Sequence, residues 1–280
     1  MLSQLFNACI RTGYNPTHFQ RSITVVLRKQ GKDDYQLAKS YRPVALLNTL
    51  GKFLEAIIAQ RISYAVETRG LLPKTHLGGR RGISTDHAIH IIIDRIKLAW
   101  GKGSSVVSLL LLDVSGAYDN VSHARLLHNL RKRRLGQLVP WVKAFLSNRS
   151  TRIRMPEGMS DRFPTPTGIP QGSPISPILY LIYNADLIES CGNGVTSNGW
   201  VDDACLMVKG DSERETIQKL RSACRKADQW ARKHASVFDP KKYGLIHFVN
   251  TQEADPQYTP LCLQGHTVAA TRTAERYLGY

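Results

Sequence analysis

Acidic residues are scarce in this chain: 22 Asp and Glu stand against 38 Lys and Arg, a formal charge of +16 over 280 residues. That imbalance favours an anionic partner, with nucleic acid ahead of a membrane surface. Cysteine is sparse too. Cys9, Cys191, Cys205, Cys224 and Cys262 form no C-x-x-C pair and no Cys/His group at zinc spacing. This argues against a disulfide framework or zinc knuckle and for reduced, mostly buried thiols. No apolar run is long enough to span a membrane; the longest, around Leu109–Leu112, stops at Asp113. The start, MLSQLFNACIRTG, lacks the basic region and cleavage pattern of a signal peptide. A nuclear or cytoplasmic location is the expectation. Internal repeats and low-complexity tracts are absent. With 42% hydrophobic residues the chain can build the core of one large or two modest domains.

Two acidic signals stand out against this background: Asp113 in LLLLDVSGAYD and Asp202-Asp203 in GWVDDACLMV. The run Ser108–Leu112 reads as a strand buried on both faces, so a charge at its end belongs at the rim of a sheet. Residues 201–208 read as two short strands folded at the acidic pair. Taken singly, an Asp after an apolar run is ordinarily a strand end or cap, and an Asp-Asp pair a turn. Brought together, the three carboxylates would repel unless cations held them. Oxygen-only ligands suit Mg²⁺ or Mn²⁺, and two such ions clamp the oxygens of a phosphoryl displacement. The pattern therefore points to nucleotidyl transfer.

Periodicity supplies the frame. A strand is expected over 21–29, then a helix with Leu54, Ile57, Ile58, Arg61 and Ile62 at helical spacing. Gly78-Gly79-Arg80-Arg81-Gly82 forms a basic glycine turn, followed by an N-cap region at Ser84-Thr85-Asp86 and a helix with Ile89, Ile92, Ile93 and Ile96 on one face. Further helices are expected over about 122–134, 138–147, 178–187 and 212–236, the last with Ile217, Leu220, Cys224 and Trp230 inward. A long turn covers 164–177, and short strands cover 244–248 and 277–280. Strands mixed with helices in no βαβ order suggest an α+β fold.

Nine segments in order carry a resemblance. They are VVLRKQGKDDY, SYRPVALLNTLGKFLEAIIAQRI, LLPKTHLGGRRGISTDHAI, LLLLDVSGAYDNVSHARLL, WVKAFLSNRSTRIR, TGIPQGSPISPILYLIYNADL, GWVDDACLMV, FDPKKYGLIHF and RYLGY. Together they span almost the whole chain, which resembles the reverse transcriptase domain of non-LTR (LINE-type) retrotransposons, most closely those of fungal genomes. The resemblance implies a right-hand polymerase with an antiparallel palm sheet backed by helices. Fingers would occupy 1–100, the palm 101–250 with a finger-contributing insertion at about 125–165, and the end of the palm and primer grip 251–280. It implies an RNA template, a DNA primer, dNTPs and Mg²⁺ or Mn²⁺, and no membrane.

Residue roles follow from the same resemblance. Asp113 and Asp202 would bridge the metal ions, with Asp203 supporting. Tyr118 resembles the aromatic gate that crowds a ribose 2′-hydroxyl. Gln171 would border the incoming nucleotide and template, and Gly172 would let backbone approach the ligand. Lys29 and Arg42 resemble residues that grip the triphosphate. Lys242, with Lys241 as rival, resembles the lysine that protonates leaving pyrophosphate. Gly78, Gly79 and Arg80 would line the template path, and Asp119 would be a local cap. The chain departs from the pattern at Trp200-Val201, where Tyr or Phe with Ala or Val is usual, and at His76, where many relatives have Gln. Neither an endonuclease before the fingers nor a thumb after RYLGY is expected within this stretch. The alternative reading is therefore a non-catalytic nucleic-acid-binding remnant of a degraded retroelement. RNA-templated RNA synthesis is disfavoured by Tyr118.

Overall fold

The chain opens with helix α1 (Leu2–Thr12), which buries Phe6 and Cys9 and ends on Gly13 in the left-handed region. A computed structural model describes every residue except 32, 81, 193, 251–255, 264, 272–276 and 279–280. After α1 come β1 (Arg21–Arg28), β2 (Tyr41–Leu47), α2 (Thr49–Arg69), α3 (Thr85–Trp100), β3 (Val106–Leu112) and β4 (Val114–Ser115). The middle of the chain forms α4 (His123–Lys132), α5 (Val139–Leu146), β5 (Ser150–Met155), β6 (Gly158–Met159), β7 (Phe163–Pro164) and α6 (Ser176–Ser190). The remainder forms β8 (Val195–Trp200), β9 (Asp203–Gly210), α7 (Glu213–Lys233), β10 (Val237–Phe238), β11 (Gly244–Val249), β12 (Leu261–Leu263) and β13 (His266–Val268). The architecture is mixed α/β. No helix among the described residues is long and apolar enough to cross a membrane.

Two compact units interleave along the chain: residues 1–71 with 118–183, and residues 72–117 with 184–280. In the first, β1 pairs antiparallel with β2 and parallel with β5, in the order β2-β1-β5-β6 with β7 also on β5. Helix α2 starts where the Asn48 side chain accepts the Gly51 N–H, and it buries Leu54, Ile58, Ile62 and Val66 at helical spacing. Glu55, on the same helix, is 2% exposed. It accepts a 2.5 Å hydrogen bond from the Ser173 hydroxyl. Burial pushes its carboxyl pKa up, while Ser173, the Arg149 guanidinium and Lys52 oppose that shift. Arg149 is itself buried, donating to the Phe145 carbonyl at 3.2 Å and lying 4.9 Å over the Phe145 ring.

In the second unit four antiparallel strands run in the order β11-β3-β9-β8. All seven β3 residues are buried, as expected for a strand covered on both faces. Val107, Leu109 and Leu111 join Ile92, Ile96 and Ala99 of α3 in one apolar cluster. Between them in sequence, Ser108 bonds the Thr216 hydroxyl of α7 and His247 Nδ1 of β11, both at 2.6 Å. His247 Nε2 bonds the Thr259 carbonyl at 2.8 Å and lies 4.0 Å from Glu213. The Glu213 carboxylate accepts the backbone N–H groups of Gln257, Tyr258 and Thr259. Burial alone would raise its pKa, but the Thr259 and Gln257 donors outweigh it and hold the carboxyl below its ordinary value.

Several expectations need correction. Two elements have no counterpart among the expected ones: the opening segment is helix α1, and residues 41–47 form an edge strand before α2. Ile93 is 40% exposed, off the buried face that Ile92 and Ile96 define. Ser122, not Asp119, caps α4 by accepting the Arg125 N–H. A polar strand, β8, precedes the acidic pair, so the hairpin reaches back to Val195. Tyr277 and Leu278 lie outside any strand, and 279–280 are outside the described residues.

Glu55→Ala should destabilise the protein by about 3 kcal/mol in denaturant titration, because it leaves the buried Arg149 charge uncompensated. Glu55→Gln, which keeps the Ser173 contact, should cost less.

Candidate active site

The acidic residues lie in the second unit. Asp113 follows β3, and the β8–β9 hairpin turns at Val201-Asp202, so that Asp203 opens β9 opposite Trp200. Asp203 is pushed up to about 6, first by burial and then by the charges of Asp202 and Asp113. The three carboxylates therefore repel each other across neighbouring strand ends. Lys242 supplies one opposing charge: its Nζ donates to Asp113 Oδ2 at 2.8 Å and lies 3.7 Å from Asp239. The Asp113 hydrogen bond raises the Lys242 pKa. Backbone holds this corner together as well. The Asp239 N–H donates to the Asp113 carbonyl, and β10 pairs with β4. Of the two candidate lysines, Lys242 reaches the carboxylate.

Among the described residues no three acidic, His or Cys side chains are already gathered as a metal cage. The donor set still fits a hard dication: it is all oxygen, Asp203 feels the charges of Asp202 and Asp113, and Lys242 opposes them at Asp113. Asp113, Asp202 and Asp203 are the residues that could hold such an ion.

The hairpin turn is braced from beneath. Val201 has φ +55°, a left-handed conformation that is costly for a β-branched residue. Its carbonyl accepts from the buried Asn184 amide at 2.6 Å. The N–H groups of Leu77 and Gly78 donate to the Gly199 carbonyl, and the Gly199 N–H donates to Thr75. A Cβ on Gly78 would stand 2.5 Å from the Val201 nitrogen, and one on Gly199 would stand 2.2 Å from the fully buried His76 ring. Gly78 thus seats the acidic hairpin. Gly79, at φ +70°, is exposed. Arg80 turns back to donate to the Pro73 and His76 carbonyls, both at 3.4 Å. Nothing in the sequence marked Asn184 or His76 as supports, since both act through backbone contacts that spacing does not reveal.

The other candidates belong to the first unit. Lys29 follows β1 and Arg42 sits on β2, in the hairpin where Leu27 pairs with Arg42. Lys29 donates to the Lys39 carbonyl at 3.0 Å, whereas Arg42 is exposed. Tyr118 stacks on the buried Tyr180 ring, with centroids 5.2 Å apart and planes 13° from parallel. Its carbonyl accepts the Ile169 N–H at 2.8 Å. Gln171 donates to Asp119 at 3.5 Å, and its own carbonyl accepts the Ala45 N–H at 2.7 Å. Gly172, at φ +114°, lies where a Cβ would meet the Ala45 carbonyl at 2.6 Å. A cavity of about 260 Å³ lies beside this loop, lined in part by Thr24, Thr151, Arg149, Asp119 and Gln171.

Two outcomes are expected here. In metal-free protein at pH 8, Asp203→Asn should raise unfolding free energy by roughly 1–2 kcal/mol, below the full value of the shift because the carboxylate still reaches water. The folded pKa near 6 exceeds the ordinary 3.8. The ionised group therefore costs the folded state fully above pH 6, and that cost disappears as pH falls toward 4. Melting curves at pH 8 and pH 4 should show the gain only at the higher pH. Gly78→Ala should lower stability by about 1–3 kcal/mol through overpacking against Val201, measured in the same way.

Comparison with known proteins is consistent with this chemistry. The chain is 26% identical over 282 residues to the probable RNA-directed DNA polymerase from transposon X-element of Drosophila melanogaster, covering 99% of this chain and 30% of that protein. It is 28% identical over 283 residues to the RNA-directed DNA polymerase from mobile element jockey of Drosophila funebris, covering 98% and 30%. The chain thus spans about 30% of the length of these curated relatives. The fold is shared with apo telomerase from Candida tropicalis (TM-score 0.61, 11% identity, 96% of this chain and 50% of that one). It is also shared with telomerase from Candida albicans in complex with a telomeric RNA fragment (TM-score 0.56, 13% identity, 99% and 50%). Residues 27–280 match the model of the family described as reverse transcriptase (RNA-dependent DNA polymerase). On that match, over nearly its whole length, the chain belongs to the reverse transcriptase family.

Proposed function

We propose that this domain extends a DNA primer on an RNA template by nucleotidyl transfer. The carrying observation is the set of three mutually repelling carboxylates at adjacent strand ends, with Asp203 pushed up to about 6. Asp113, Asp202 and Asp203 would hold Mg²⁺ or Mn²⁺, which when bound stabilises charge on the attacking and leaving oxygens. Arg42 and Lys29 grip the triphosphate of a dNTP, Arg42 from an exposed strand that leaves its guanidinium fork available. Tyr118, held by its stack on Tyr180, crowds the sugar where a 2′-hydroxyl would stand. Gln171 borders the nucleotide from a loop tied to β2. The primer 3′-hydroxyl loses its proton to solvent as its oxygen forms a bond to the α-phosphorus, and the bond to pyrophosphate breaks. Lys242 gives its proton to the departing pyrophosphate once it leaves Asp113. Gly79 and Arg80 lie on the template path, with Gly78 beneath them seating the hairpin. The first unit's sheet supports a fingers reading and the four-stranded antiparallel sheet a palm reading, with no thumb assigned within these residues. Among relatives, the motif wording favours the fungal branch of LINE-type elements.

Primer extension with dNTPs and Mg²⁺ on a primed RNA template tests this directly. Asp113→Ala and Asp202→Ala should each lower extension at least about 100-fold while leaving affinity for the primed template within a factor of three. Tyr118→Ala should cut discrimination against rNTPs by about tenfold or more. Wild-type binding without any extension would instead support the non-catalytic remnant reading.

A further inference from the structure

Helix α7 buries Ile217, Leu220, Ala223, Cys224, Ala227 and Trp230 on one face. On its outward side, bordering that buried face, run Arg214, Arg221, Arg225 and Arg232, three of them exposed and Arg221 half-buried. The spacing is seven, four and seven residues. At about 100° per residue all four fall within about 20° of one line along the helix, and at 1.5 Å per residue the line is about 27 Å long. The neutral residues beside it are Gln218, Ser222 and Gln229. Asp228, near Arg232, is the acid closest to the line. Glu215 is committed to Lys219 at 2.6 Å and to the Asp211 N–H.

A solvated helix surface gains stability from opposite charges at i,i+4, whereas like charges there cost a few tenths of a kcal/mol. Arg221 and Arg225 are such a like-charge pair. Arg221 Nε is moreover buried without a hydrogen-bond partner among the described residues. Asp228, three residues after Arg225 and four before Arg232, balances that end of the line, whereas Arg221 has no acid three or four residues away. The line also has a direction. Its Arg214 end adjoins the Val106–Gly210 end of the sheet, and its Arg232 end leads through β10 to the Asp113 corner.

We propose that this arginine line is a second nucleic-acid contact, binding backbone phosphates of a strand along the outside of α7. It goes beyond the polymerase reading, which needs only the primed template at the carboxylates. A length of about 27 Å matches about eight base-pair steps at 3.4 Å each. Arginine, charged at every accessible pH and forked, suits phosphate oxygens. No base edge is read, so the shared chemistry is the phosphate backbone, supplied by RNA or by DNA.

The test is fluorescence anisotropy on the full chain with three labelled probes: an RNA hairpin, a single-stranded RNA and a DNA duplex, each from 50 to 400 mM salt. The variant R214Q/R221Q/R225Q/R232Q is compared with R11Q/R61Q/R69Q/K132Q, which removes equal charge from exposed positions elsewhere. We expect the α7 variant to bind at least one probe more than tenfold more weakly near 100 mM salt. Its log–log salt slope should be shallower by about 3. The control should change less than threefold, and the four Arg→Lys changes should recover most of the affinity. The probe that loses affinity identifies RNA or DNA as the source. Equal losses in variant and control, or no loss on any probe, overturn the proposal; the latter would be the result for an acidic protein partner. If melting curves show the quadruple variant unfolded, R214Q/R225Q is measured against R11Q/R69Q under the same criteria. Wild-type primer extension is scored separately: its absence with line-dependent binding intact defeats the polymerase reading and leaves this one standing.

Discussion

Three carboxylates at neighbouring strand ends repel one another, and the fold around them resists that repulsion by holding the backbone from several sides. Asp113 leaves a strand whose seven residues are all buried, so its position is set by packing rather than by solvent. Asp202 and Asp203 ride a hairpin pinned by Asn184, by the Leu77 and Gly78 amides, and by the absence of side chains at Gly78 and Gly199. The strain at Val201 is tolerated because these contacts overdetermine the turn. An opposing ammonium at Lys242 offsets part of the repulsion, and a dication would offset more. Preorganised charge of this kind is what a phosphoryl-transfer site needs, since little rearrangement is then left for the reaction itself.

The first unit uses the same economy in a different way. The Ala45 amide donates to the Gln171 carbonyl, and Gly172 passes against the Ala45 carbonyl. Strand β2, which carries Arg42, is therefore joined by backbone to the loop that carries Gln171. Behind that loop, Ser173 reaches Glu55, whose charge is opposed by Arg149. A displacement of the loop would disturb a buried polar cluster as well as the strand that carries the exposed Arg42.

Elements with strong periodicity were legible in the sequence: α3, α4, α6 and α7, the buried strand ending at Asp113, and the inward residues of α7. What escaped has physical causes. Strand β8 reads Val-Thr-Ser-Asn-Gly-Trp, with too little hydrophobic alternation to signal a strand, and it exists because β9 offers it a full ladder. Strand β2 contains Arg-Pro and lies at an edge, where proline is tolerated. Of the site, the carboxylates and Lys242 could be proposed from motif residues, and the structure adds the 2.8 Å pairing that separates Lys242 from Lys241. The supports at Asn184, His76 and Glu55 were not legible, because each works through a partner more than ten residues away.

Ser108 is the one polar side chain in β3, and its placement has a consequence for where charge appears at the strand's end. Because side chains alternate faces along a strand, sliding β3 by one position would turn its hydroxyl toward the α3 cluster and send a leucine against Thr216 and His247. Both exchanges are unfavourable, one stranding a hydroxyl in hydrocarbon and the other orphaning two polar partners. The serine therefore acts as a register key. Five residues before Asp113, it determines which side of the sheet the carboxylate faces, and a site built from repelling charges is aimed by a small hydroxyl buried in the protein's interior.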